Sequence, residues 1–303
     1  MARAAVLMYH RAADLTPDPF GLSVPPALLA SQLDAIKQAF RPIGITALLD
    51  AMEQDSLPSR SVAVTFDDGY LDALLAADLL QARGISATFF VNTEDLDHPH
   101  ESWESLLEQL VLGPGEVPGA LFLSAGLTPR ELEGDGPAAR RALFDALHAR
   151  GYPLDGGGRA ALIGGLRERS GRTLRVRDTH RVLMRHELRG LAGRPGMEIG
   201  VHGAAHLALP LHPPAVQHDE LASAKLALET LLGRPVSNLA YAYGAHDERT
   251  VAIAARLGFR SAFTVREGSL AHGDDPLTLP RLEVGRDDPE VLVARVARLL
   301  AGP

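Results

Sequence analysis

Short apolar runs alternate with segments of helical periodicity along most of the chain. The runs that read as buried strands are residues 5–9, 62–66, 85–91, 197–201, 238–243, 261–265 and 277–284. A helix predicted from about residue 71 stops at Gly84, and one that begins at Pro213-Pro214 stops at Gly233. Glycine is a natural left-handed cap, which supports both boundaries. Strands that alternate with helices in this way predict a parallel α/β architecture.

The pattern favours a βα barrel over an open nucleotide-binding sheet. The first predicted strand is followed by neither a GxGxxG motif nor a P-loop. From about residue 97 to 195 the alternation gives way to loops rich in Gly and Pro and to short helical pieces, which we interpret as an insertion. We therefore expect a single barrel domain over residues 1–303, of α/β class, that carries a helical and loop insertion at about 97–195.

Chemically capable side chains follow several of the predicted strands. In βα barrels the chemistry lies at the carboxyl ends of the strands, so residues from distant parts of the sequence meet on one face. We expect this face to carry seven such residues: His10, Asp67, Asp68, His202, His206, Tyr243 and Arg281.

Two of these strand ends together predict a metal site. His202 and His206 are four residues apart in HGAAH, a spacing that sets two imidazoles on one side of a helical turn, within reach of one ion. A carboxylate is the usual complement, and Asp67-Asp68 offers two. A cation there would also relieve the repulsion between adjacent carboxylates. The alternative is that DDG is only a turn with acidic residues at favoured positions.

These residues resemble the polysaccharide deacetylase (NodB-like) family of metal-dependent carbohydrate esterases. The resemblance runs through TFDDGY (65–70), ATFFV (87–91), EIGVHGAAH (198–206), LAYAYGAHD (239–247) and LPRLEV (279–284). The opening VLMYHRA and DPFGLSV look like the branch found among bacterial surface-glycan and exopolysaccharide deacetylases. The resemblance implies an irregular (β/α)7-type barrel, a bound Zn²⁺ or another divalent ion such as Co²⁺, Ni²⁺ or Fe²⁺, and hydrolytic removal of N-acetyl groups from amino sugars.

The resemblance also implies a role for each site residue. Asp67 matches the general base, and Asp68, His202 and His206 match the metal ligands. Tyr243 matches the residue whose backbone N–H binds the oxyanion, and Arg281 matches an arginine that steadies the catalytic aspartate.

The chain departs from the family pattern at three places. Gly203 stands where the family usually has Ser or Thr, and Ala242 stands where it usually has Pro. No late Leu-His pair supplies the usual general acid, and His272 lies in a Gly/Asp-rich loop of a different character. We hypothesise that His10 is the acid, since imidazole changes charge near pH 7. The alternative is a structural histidine at the barrel mouth.

The amino-acid composition limits the classes of binding partner, and two alternative functions stay open. The net charge of −8 gives no electrostatic case for nucleic acid, and the absence of cysteine excludes thiolate ligands and a Cys nucleophile. With neither a signal-peptide core nor an integral membrane segment predicted, we expect a cytoplasmic protein whose partner is an N-acetylated sugar or glycan precursor. A catalytically weak glycan-binding or scaffold relative is the first alternative. A non-haem Fe(II) oxygenase is the second, because two histidines and a carboxylate also form that iron site. The sequence does not indicate the oligomeric state.

Overall fold

The computed structural model describes residues 2–127 and 136–302. In this part of the chain, nine strands form one sheet: β1 (Arg3–Tyr9), β2 (Arg41–Pro42), β3 (Ser61–Phe66), β4 (Ala87–Val91), β5 (Met197–Val201), β6 (Asn238–Ala240), β7 (Ser261–Phe263), β8 (Leu270–Ala271) and β9 (Leu282–Glu283).

Helices connect and cover these strands. Those described are α1 (Pro26–Ala39), α2 (Ile45–Glu53), α3 (Ala73–Gln81), α4 (Trp103–Val111), α5 (Gly119–Ser124), α6 (Pro137–Gly151), α7 (Gly156–Ser170), α8 (Arg185–Ala192), α9 (Pro214–Leu232), α10 (Glu248–Arg256) and α11 (Pro289–Ala301). Gly84 and Gly233 adopt positive φ, as the sequence predicts. Within the described residues, no helix has the length and apolar character needed to span a bilayer.

The sheet is curled and mostly parallel. Its main path runs β7-β6-β5-β4-β3-β1-β8, with β2 also paired to β3 and β9 to β1. Every pair is parallel except β1 with β8. The result is a half-barrel, which confirms the predicted α/β barrel class. All the parallel strands deliver their carboxyl ends to the same edge.

Burial on both faces explains the near-continuous apolar character of the central strands. Alternate residues of β1, such as Leu7 and Tyr9, pack outward with the covering helices, and Tyr9, Phe66 and Phe89 stack across β1, β3 and β4 at ring-centroid distances of 5.2 and 5.3 Å. The intervening residues face inward and pack with α2. The sequence pattern did not predict α2. Of the predicted strand 277–284, only Leu282–Glu283 is a strand in the structure.

The described parts of the β4–β5 connection, residues 92–127 and 136–196, contain five helices, α4 to α8. These helices have an apolar cluster of their own, which includes Trp103, Leu107 and Phe144. Ion pairs from Arg177 to Glu101 and Glu108, at 2.7 and 3.0 Å, fasten the later part of the connection to α4. Backbone hydrogen bonds from residues 71 and 183 tie it to the loop after β3. The connection therefore packs against the edge at which the strands end.

Candidate active site and metal centre

The two adjacent aspartates after β3 point to different surroundings because the backbone turns sharply between them. The Asp67 N–H still donates to the Tyr9 carbonyl at 2.9 Å, as in the sheet. Asp68 and Gly69 both have φ of 71°, in the left-handed region, and a Cβ on residue 69 would lie 3.0 Å from the Val91 side chain. Glycine is thus required after the aspartate pair, and the turn separates the two carboxylates.

Asp67 is paired with Arg281 inside the barrel. Arg281 Nη1 and Nη2 donate to the two carboxylate oxygens at 2.8 and 2.6 Å, and the exposed fractions of the two side chains are 2% for Asp67 and 0% for Arg281. Arg281 Nε donates to the Thr264 carbonyl at 3.0 Å, which fixes the guanidinium plane. A bidentate pair of this kind holds the orientation of the carboxylate as well as its charge.

Asp68, His202 and His206 converge on one point. Asp68 Oδ1 lies 3.2 Å from His202 Nε2 and 3.4 Å from His206 Nε2, and the three candidate ligand atoms lie within 4.8 Å of one another. One carboxylate and two imidazoles form a common three-residue set for a catalytic divalent ion, which keeps further coordination positions open.

The hydrogen bonds around this triad fit a cation. His202 Nδ1 lies 2.8 Å from the Ala240 carbonyl, an acceptor, so Nδ1 carries the proton and Nε2 presents its lone pair to Asp68. Asp68 Oδ1 is buried and has no hydrogen-bond partner in the described part of the chain. Two acceptors that face each other at this distance need a proton or a metal ion between them. The triad therefore fits the divalent ion that the sequence implies.

Charge as well as burial sets the ionisation of these groups. Burial raises the pKa of Asp67, but Arg281, His202 and His10 lower it, with a net shift below the usual value. Burial likewise opposes ionisation of Asp68, yet His202 and His206 hold its pKa well below normal. For His202, burial lowers the pKa while the charges of Asp67 and Asp68 raise it, and the net shift is upward. Both carboxylates are thus ionised near neutral pH.

The loop after β5 explains one departure from the family pattern. Gly203 has φ of +89°, and a Cβ there would lie 2.6 Å from Glu220 Oε1. The same Glu220 oxygen accepts the Ala205 N–H at 2.8 Å. A serine or threonine at 203 would collide with this carboxylate, and Glu220 braces the loop from α9 instead of a hydroxyl.

One cavity of about 340 Å³ is lined by six of the predicted residues: His10, Asp67, Asp68, His202, His206 and Tyr243. His10 follows β1 and lies in its wall. Tyr243 lies in the turn after β6, at φ of 56°, with its ring centroid 4.2 Å from that of His206. Arg281 contacts the site through its ion pair with Asp67. The structure therefore brings all seven predicted residues together, while their individual roles remain predictions.

Glu104 is a site residue that the sequence reasoning missed. Its Oε1 accepts the Tyr243 hydroxyl and lies 3.5 Å from His206 Nδ1. A signal was present: in ESWESLLEQL, Glu104 and Glu108 fall on the same helix face as the buried Leu107 and Val111. Carboxylates on the apolar face of a helix require partners, but the sequence does not say which partners they have.

Comparisons with known proteins agree with this geometry. The sequence profile described as polysaccharide deacetylase matches residues 54–114 and 173–262, ranges that contain Asp67, Asp68, His202, His206 and Tyr243 but neither His10 nor Arg281. No curated protein sequence matches the chain.

Solved structures give the same fold at low sequence identity. The deacetylase PplD of Streptococcus pyogenes, solved in complex with acetate, is 19% identical with a TM-score of 0.63, over 98% of each chain. IcaB from Ammonifex degensii is also 19% identical with a TM-score of 0.63, over 98% of this chain and 97% of that one. A de-N-acetylase from Aggregatibacter actinomycetemcomitans is 15% identical with a TM-score of 0.61, over 98% and 100%.

The half-barrel, with an acidic pair and two histidines at or near its strand ends, defines a class of hydrolytic enzymes that act on carbohydrates. Within that class, the chain belongs to the polysaccharide deacetylase family. Membership supports hydrolytic deacetylation of a glycan as its activity.

Proposed function

We propose that this protein is a metal-dependent N-deacetylase of an amino sugar in a bacterial surface glycan or glycan precursor, and that it releases acetate. The observation that carries the proposal is the convergence of Asp68 Oδ1, His202 Nε2 and His206 Nε2 beside the buried Asp67–Arg281 pair. PplD was solved in complex with acetate, and another similar structure is that of a de-N-acetylase, which supports the same chemistry. Cytoplasmic localisation stays a prediction.

Asp68, His202 and His206 would hold the ion. When bound, a divalent ion would lower the pKa of a coordinated water and polarise the acetyl carbonyl. Asp67 would accept a proton from the attacking water, and Arg281 keeps that carboxylate ionised and oriented for the transfer. The Tyr243 backbone N–H would donate to the carbonyl oxygen as it gains negative charge.

The departing nitrogen requires a proton, since an amide nitrogen leaves poorly as an anion. His10 is the proposed donor, because it lines the same cavity and its charge lowers the pKa of both Asp67 and Asp68. The C–N bond then breaks, and the products are acetate and a free amino sugar. His10→Ala should change the pH–rate profile. An unchanged profile with wild-type turnover would remove His10 from the mechanism.

Metal content combined with acetate release tests the proposed function. Elemental analysis should find about one divalent ion per wild-type chain and a loss of that ion in His206→Ala. Asp67→Asn should keep the ion but lose roughly 10²- to 10⁴-fold in acetate release from N-acetylated amino-sugar oligosaccharides. A wild-type protein that takes up no ion after incubation with Zn²⁺ would refute the enzyme assignment and favour a glycan-binding relative.

A further inference from the structure

We propose that the β4–β5 connection completes the metal site, with Glu104 of α4 and Arg159 of α7 acting as positioning residues for His206. The inference rests on the proposed metal site and assigns a function to residues that no strand end supplies. The family profile does not match residues 115–172, which include Arg159.

The sheet holds His206 less directly than it holds the other two ligands. Asp68 is the second residue after β3, and His202 is fixed to the sheet, with its backbone N–H donating to the Val91 carbonyl at 3.0 Å and its Nδ1 facing the Ala240 carbonyl. His206 lies four residues further along, at φ of 55°. The left-handed region is unfavourable for a residue other than glycine, so contacts from the surroundings must hold His206 there.

Glu104 fixes the imidazole ring of His206. Its carboxylate lies 3.5 Å from His206 Nδ1, a position that favours the tautomer with the proton on Nδ1 and leaves Nε2 free for the ion. The hydroxyl of Tyr243 donates to the same carboxylate oxygen, and the Tyr243 ring packs on the imidazole. The Ser102 hydroxyl caps α4, where it accepts the Ser105 N–H at 3.3 Å, and so holds the helix start that presents Glu104.

Arg159 fixes the backbone of the same loop. Its exposed fraction is 2%, and Nη1 donates to the carbonyls of Ala205 and His206 at 2.9 and 2.8 Å. Nε and Nη2 donate to the carbonyls of Gly151 and Tyr152 at 3.2 and 3.1 Å, which ties the loop to the end of α6. A buried guanidinium that donates to two consecutive carbonyls holds both peptide planes, and this sets the direction in which the His206 side chain leaves the backbone.

The test measures metal affinity rather than turnover. The full-length protein, stripped of metal, is titrated with Co²⁺ while the visible absorption of the bound ion is followed. Glu104→Ala should weaken binding about 10- to 100-fold, the usual effect of removing a carboxylate that orients a ligating histidine. Glu104→Gln, which keeps a hydrogen-bond acceptor, should recover part of the affinity. Arg159→Lys should also weaken binding and alter the absorption band, because one ammonium cannot hold both carbonyls.

Glu108→Gln is the matched control. Glu108 lies one turn further along α4 and is buried to a similar extent, but its partners are Arg177 and His180. Its substitution should lower the thermal midpoint without changing Co²⁺ affinity. Unchanged affinity in both Glu104→Ala and Arg159→Lys, with binding intact in the wild type, would overturn the inference while the proposed function stands. Affinity lost equally in the Glu108 control would overturn it as well, since the effect would then be general. A wild type that binds no Co²⁺ would refute both proposals.

Discussion

The site has two halves that are held in different ways. The strand-end half consists of Asp67, Asp68, His202 and Arg281, and the sheet and its own ion pair fix it. The loop half consists of His206 and Tyr243, which depend on contacts from distant helices. The edge of a barrel thus places some site residues through the strands themselves. Others need a second layer of structure, which here consists of Glu104 on α4 and Arg159 on α7.

The largest expected effect is on the strand-end half. Arg281→Met leaves the Asp67 carboxylate buried without its bidentate partner, and removal of one member of a buried pair costs roughly 3–5 kcal/mol. Urea unfolding at pH 7 measures the loss. In the double variant Asp67→Asn with Arg281→Met, neither of these two positions carries a buried charge, and part of the stability should return. A single variant as stable as the wild type would mean that the pair does not hold this half together.

A smaller effect is expected in the loop half. Gly203→Ala combines positive φ with a Cβ that would lie 2.6 Å from Glu220 Oε1, so the free energy of unfolding should fall by about 1–3 kcal/mol. Because His206 belongs to the same loop, Zn²⁺ affinity should fall as well. Gly233→Ala is the control: it has φ of +65° but meets no atom within 4 Å. An equal loss of stability in the two variants would show that the contact with Glu220 contributes nothing.

The smallest effect concerns a carboxylate that belongs to neither half. Asp247 caps α10 and accepts the Thr250 N–H at 2.9 Å, and this bond, with Arg249, lowers its pKa from 3.8 to about 2. A folded-state pKa below the unfolded one stabilises the protein above pH 3.8, and that contribution is lost as the pH falls toward 2. Asp247→Ala should cost about 1 kcal/mol at pH 7 and progressively less below pH 4.

Unfolding midpoints of the wild type and Asp247→Ala, compared from pH 7 down to pH 3, test this sign. Asp247→Asn keeps a capping oxygen and should stay closer to the wild type at pH 7. A gap that remains constant over the whole range would show that ionisation of Asp247 plays no part in the stability of the fold.

The sequence predicted the strand-end half because its signals are local. An apolar run that stops at Asp67-Asp68, or at His202, marks a strand end directly, and parallel topology then brings these ends together. Arg281 was found only through LPRLEV, since Pro280 shortens the strand to two residues and weakens its pattern. The short β2 and β8 were missed for a similar reason: strands of two residues carry little periodicity.

The second layer could not be predicted because it depends on pairings between remote positions. Glu104 reaches Tyr243 across 139 residues, and Arg159 reaches His206 across 47. The sequence pattern indicated short helical pieces in this region but not the helix that carries Arg159, and it gave no indication of which loop these pieces contact. The sequence showed only that Gly203 stands where the family usually has Ser or Thr, and the structure gives the reason, since Glu220 occupies the space.

The left-handed backbone at Asp68, His206 and Tyr243 has a consequence for how this protein can change. Glycine adopts that conformation without steric cost, but it offers no ligand atom at positions 68 and 206, and at 243 it would leave Glu104 without its hydroxyl partner. A lineage or a laboratory screen selected only for a higher melting temperature would therefore tend to replace these side chains. The fold would become more stable while the enzyme lost activity, so a stabilised variant must keep these three residues unchanged.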